Sequence, residues 1–122
     1  MQKIIFILTT LLWSSFSMSQ NFTANGLVSF IYENVTIDAP KGWAEVKATF
    51  TITHEAGITN SKSSYRATMN NSGEELKFEP TNIFGPHNAA RELLKLEAQR
   101  HHQYETVIIK MKPNGTTTYE FK

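Results

Sequence analysis

The 122 residues contain no cysteine. Without one, no disulfide closes a loop, and the fold must be held by burial and hydrogen bonding. Thiol nucleophiles and thiolate ligands are excluded as well, together with the lipid-anchored bacterial precursor, which needs a cysteine for its anchor. The six glycines are dispersed and none clusters ahead of a helix, so no phosphate-cradling loop is present. An excess of charge of one sign is also lacking. Lys and Arg number 12 against 11 Asp and Glu, and Lys3 is the only charged residue among the first nineteen. A general nucleic-acid binder shows a basic excess or a basic stripe. The sequence shows neither, its spaced lysines and arginines read as solvated faces, and no nucleic-acid partner is expected. The longest mostly apolar run, Ile4–Trp13, interrupted only by Thr9 and Thr10, falls short of the roughly 20 residues a bilayer-spanning helix needs.

That short run has a different use. Met1-Gln2-Lys3 supplies one positive charge, Ile4–Trp13 an apolar stretch, and Ser17-Met18-Ser19 the small residues that a signal peptidase reads. Residues 1–19 are therefore expected to be a cleaved signal peptide, with Gln20 the new N-terminus and residues 20–122 a single domain. One core suits that length and two do not. The mature chain is expected in the periplasm or outside the cell, with no membrane association once the signal is removed.

Beyond a loose polar start at 20–26, Leu27–Val35 carries apolar residues at 27, 28, 31 and 35, the spacing of one helical face. Its β-branched and aromatic content also suits a strand, and a short helix is the favoured reading of the two. Pro40-Lys41-Gly42 makes a turn. In Trp43–His54, Val46, Ala48, Phe50 and Ile52 alternate with Lys47, Thr49, Thr51 and Thr53, the period of a half-buried strand. Glu55–Lys62 reads as a loop. Ser63–Asn70 and Glu74–Glu79 read as two further strands about an Asn71-Ser72-Gly73 turn, with Leu76 and Phe78 inward. Pro86 suits a first helical turn, and the helix that follows to about His102 has Ala89, Ala90, Leu93, Leu94, Leu96 and Ala98 as its apolar stripe. Tyr104–Lys112 is a strand with Val107, Ile109 and Met111 on one face and Tyr104, Thr106 and Ile108 on the other. Pro113-Asn114-Gly115 turns the chain into a last strand, Thr116–Phe121. The order α-β-β-β-α-β-β makes an α+β fold, one antiparallel sheet of about five strands with two helices on one face.

Catalytic chemistry finds little support in these residues. His101 and His102 are adjacent, so on a helix they diverge by about 100°. His54 and His87 lie on other elements, and no spacing converges on a metal, so neither metal nor cofactor is expected. No Gly-x-Ser-x-Gly elbow is present. Glu74, Glu75 and Glu79 form the one acidic cluster. A solvated strand face explains them most simply, and contact with a basic partner is the functional alternative. Trp43, where the turn meets the first strand, is either core or a binding anchor. A small hydrolase using His54 or Glu75 is the least supported reading. The chain is expected not to be an enzyme.

Ala39-Pro-Lys-Gly-Trp43 with the alternating strand behind it is similar to the opening of the YezG-like immunity proteins of bacterial polymorphic-toxin systems. Arg91-Glu-Leu-Leu-Lys95, Tyr104–Lys112, Pro113-Asn-Gly115 and Thr118-Tyr-Glu-Phe121 resemble that family's end. The likeness runs from Leu27 to Phe121. It implies the same fold and a non-enzymatic antidote that blocks a toxin or effector by direct binding, with Glu74, Glu75, Glu79 and Trp43 as candidate partner contacts. The chain departs from the family in its export segment and its neutral charge, which would place the antidote in the periplasm. The alternative is a secreted small-ligand or polymer-binding module.

Overall fold

The computed structural model describes residues 23–100 and 102–122; the expected signal peptide, its cleavage site and His101 lie outside them. The chain runs α1 (Ala24–Thr36), β1 (Trp43–Glu55), β2 (Ile58–Met69), β3 (Glu75–Lys77), α2 (Phe84–Arg100), β4 (Thr106–Met111) and β5 (Thr117–Phe121). The strands form one sheet in the order β3-β2-β1-β4-β5, each neighbouring pair antiparallel. This is the α+β order that the alternation and turn residues predict.

The segment open to two readings is a helix. Leu27, Val28, Ile31 and Val35 are all buried, one stripe on a 3.6-residue period. The Thr23 hydroxyl accepts from the Gly26 N–H at 3.0 Å and caps the helix start. At the other end the Thr36 hydroxyl donates back to the Tyr32 carbonyl at 2.6 Å. The Tyr32 hydroxyl donates to the Lys112 carbonyl, also at 2.6 Å, and ties α1 to the β4–β5 turn. The two helices run antiparallel. Asn82 Nδ2 donates to Asn34 Oδ1 at one end (3.1 Å), while Ala24 and Arg100 line a common crevice at the other.

Both helices cover one face of the sheet. Val46, Ala48, Phe50 and Ile52 of β1, Tyr65 and Ala67 of β2, and Val107, Ile109 and Met111 of β4 meet the helical stripes in a single core. Phe50 sits at its centre, fully buried, edge-on to Tyr65 (5.7 Å between ring centroids) and to His87 (5.8 Å). Thr49 and Thr51, on the opposite side of β1, are half-buried.

Three sequence readings need correction. Glu55–Lys62 is not a loop: β1 and β2 pair as far as Glu55↔Ile58, and only Ala56 and Gly57 turn the chain. Both have positive φ, 51° and 79°, as a two-residue hairpin turn matched to strand twist requires. The strand was invisible because Ile58–Lys62 stands clear of the helices, exposed on both faces, and so carries no apolar alternation. The third strand is shorter than Glu74–Glu79, covering only Glu75–Lys77. Finally, Tyr104 lies before β4 rather than in it. The chain bends at Glu105, where the Glu105 and Thr106 N–H groups both donate to the Lys122 carbonyl, so the alternation of β4 does not carry back to Tyr104. Tyr104 stacks on Phe121 at 5.7 Å and packs against the core.

Candidate functional site

Among the described residues, the sheet is covered on one face only. The side chains that alternate with the core residues form the other face. They include Glu45, Lys47, Thr49, Thr51 and Thr53 of β1, Asn60, Lys62, Ser64, Arg66 and Thr68 of β2, Thr106, Ile108 and Lys110 of β4, and Thr118 and Glu120 of β5. Glu75 and Lys77 of β3 complete it. It is a hydroxyl-rich surface with the half-buried Ile108 between Thr49 and Glu120, and the aromatic residues of these strands lie on the other face. The Thr51 and Thr106 hydroxyls share a hydrogen bond of 3.1 Å across β1 and β4.

The acidic cluster does not form a common edge. Glu75 is exposed on the open face, its carboxylate 3.6 Å from the Arg66 guanidinium. Glu74 belongs to the turn, where its N–H donates to the Ser72 hydroxyl at 3.1 Å. Glu79 lies past the strand, near Tyr65 and His87, both in contact with Phe50; burial chiefly raises the Tyr65 pKa and the Glu79 charge adds to that rise, whereas at His87 the same charge opposes a lowering. Period-two spacing would put Glu75 and Glu79 on one face only if β3 reached both, and it ends at Lys77. Trp43 is half-buried against the core, beside the bulge where β1 meets β2.

The histidines are dispersed. His54 Nδ1 lies 2.9 Å from the Thr59 hydroxyl, near the end of the β1–β2 hairpin. Thr59 and the Glu75 partner Thr68 are nine residues apart on β2, about 30 Å in a strand, so His54 and Glu75 share no site. His87 Nε2 is 3.0 Å from the Ser63 hydroxyl. Burial lowers the His87 pKa, the Arg91 cation lowers it further and Glu79 partly opposes both. His102 is exposed and packs edge-on to Tyr104. Among the described residues no three His, Asp or Glu side chains converge as a metal set.

One concavity lies between helix and sheet, a cleft of about 340 Å³ whose lining includes His54, Arg91, Lys95, Tyr104 and Glu105. No candidate residue of the acidic cluster reaches it. Sequence reasoning singled out His54 alone in this group, because the cleft is built from three separate stretches of chain. Among the described residues no helix is long and apolar enough to cross a membrane. No protein-family model matches this chain, and no curated protein matches it in sequence.

Proposed function

We propose that this chain is a non-enzymatic inhibitor of the immunity-protein kind, exported to the periplasm, where it neutralises a toxin by direct binding. The observation that carries this reading is the two-sidedness of the sheet: one face is sealed by both helices, and the other, among the described residues, offers a broad surface across five hydrogen-bonded strands. Surfaces built on paired strands bind with little ordering cost. The resemblance of the element order and turn residues to those of the YezG-like immunity proteins supports the same reading. A toxin carried into the envelope would meet an exported antidote before reaching its target.

The test is protection. Where a toxin gene lies beside that of this chain, cells making the full-length chain should survive delivery of that toxin to the periplasm. The purified pair should elute as one complex in size-exclusion chromatography. Absence of both protection and complex with that toxin overturns the proposal. A secreted ligand-binding module is the second reading, favoured by the His54–Arg91–Glu105 cleft, whose volume suits a small polar molecule. Arg91→Ala would abolish ligand binding under that reading and leave toxin protection intact under the first.

A further inference from the structure

We infer that the open sheet face docks a carboxylate-rich protein surface through a row of four cations that only strand pairing assembles. Lys77 of β3 is directly opposite Arg66 of β2, Arg66 is opposite Lys47 of β1, and Lys47 is opposite Lys110 of β4. Adjacent strands are about 4.8 Å apart, so the row spans about 14 Å. Thr118 of β5 continues it. Lys62 stands on the same face, opposite Thr51.

Like charges directly opposite one another in a sheet oppose folding. The fold does little to relieve them: Arg66 pairs with Glu75 at 3.6 Å, and Lys47, Lys77 and Lys110 make no ion pair among the described residues. Lys47, Lys77 and Lys110 are exposed, so their charges are free to meet an anion. Solubility alone is served equally well by alternating signs. An arrangement that costs folding energy and presents one sign in a line fits a partner of the other sign.

The rest of the face selects carboxylates on a protein over a phosphate chain. Glu75 and Glu45 flank Thr68 in the row beside the cations, and Glu120 lies opposite Ile108. These acids would repel a continuous polyanion, yet they would set the register of a partner of mixed charge. Among the described residues, this face of the strands carries no aromatic residue for base stacking. The threonine methyl groups and Ile108 supply the modest apolar centre that protein interfaces use.

This inference rests on reading the chain as a protein-binding inhibitor, and the experiment separates the two. The ¹⁵N-labelled mature chain is titrated with poly-L-glutamate, with duplex DNA, and with vesicles containing phosphatidylglycerol. Poly-L-glutamate should shift the amides of Lys47, Arg66, Lys77 and Lys110 and their strand neighbours, and raising salt towards 1 M should abolish the effect as screening shortens to about 3 Å. Lys47→Glu with Lys110→Glu should weaken that binding about tenfold or more while leaving Tm unchanged or higher. Lys41→Glu, a turn cation outside the row, should change nothing. Should the double reversal misfold, Lys47→Thr with Lys110→Thr serves the same purpose. Shifts confined to the helices, undiminished binding by the double variant, or row-dependent binding of DNA or vesicles at least as strong as that of polyglutamate would each overturn the inference. A double variant that still protects fully against the toxin overturns the row and spares the inhibitor reading. A wild-type chain that protects against nothing overturns the inhibitor reading, while the polyglutamate map judges the row independently.

Discussion

Phe50→Ala tests whether the core lies where the sheet and helices put it. The Phe50 ring is fully buried and meets Tyr65 and His87 edge-on. A buried aromatic side chain hides about 150–250 Å². At about 25 cal/mol per Å², losing the part that alanine does not replace costs about 3 kcal/mol. A cavity term adds to this, because β1 is central and held on both sides, with Phe50 opposite Ser63 and Val107. Collapse into the hole is therefore restricted, and the total should reach about 4 kcal/mol. Against a domain stability of about 5–15 kcal/mol, that lowers Tm by about 20 °C, at roughly 4–8 °C per kcal/mol. Urea titration followed by circular dichroism should show a lower midpoint and an unchanged slope. Thr51→Ala is the comparison, because it removes only a half-buried hydroxyl and its bond to Thr106. It should cost about 1 kcal/mol or less. Equal, small losses at the two positions would refute the assigned strand faces.

His87 should make stability pH-dependent. Its folded pKa lies below the ordinary value of about 6.5, chiefly through burial. Its contribution is thus complete above the unfolded pKa. It declines as pH falls below that value, because the unfolded chain takes the proton first. His87→Gln should flatten the loss of Tm between neutral and mildly acid pH, and an unaltered profile would show that His87 is not its source. Ala56→Asn should raise stability by about 1 kcal/mol, since alanine is strained at φ 51° and Asn-Gly suits this turn; thermal melts would register an unchanged or lower Tm if the turn were otherwise. Mass spectrometry of protein from the native envelope should find Gln20 as the first residue, and recovery of intact Met1 from the cytosol would remove both export and the periplasmic antidote.

Much of this fold was legible residue by residue. Val46, Ala48, Phe50 and Ile52 announced a strand with one buried face, and they are buried. Ala89, Ala90, Leu93 and Leu94 announced a helix stripe, and they too are buried. Asn114 and Gly115 marked the last turn, where Gly115 has φ 94°. Legibility failed where the local signal had no core to answer to. The outer part of β2, Ile58–Lys62, is exposed on both sides and looked like a loop. Tyr104 sat in an alternating frame that the chain does not follow. The acidic cluster looked like one edge until β3 proved too short to hold it.

Within the strands and helices that pack on the core, the sequence by itself determined most of the residues that face inward, because burial imposes a period of 2 on strands and 3.6 on helices whatever the strands' neighbours; Tyr104 and Ala98 are exceptions. It also determined the absence of thiol chemistry and the near balance of charge. Which strands lie side by side, and in what register, was decided only in three dimensions, since pairing joins residues far apart in the chain and leaves no local trace. Lys47, Arg66, Lys77 and Lys110 are four scattered cations in the sequence. They become one line only because β2 and β4 both pair with β1 and β3 with β2, in registers set by the turns and by the shared buried face.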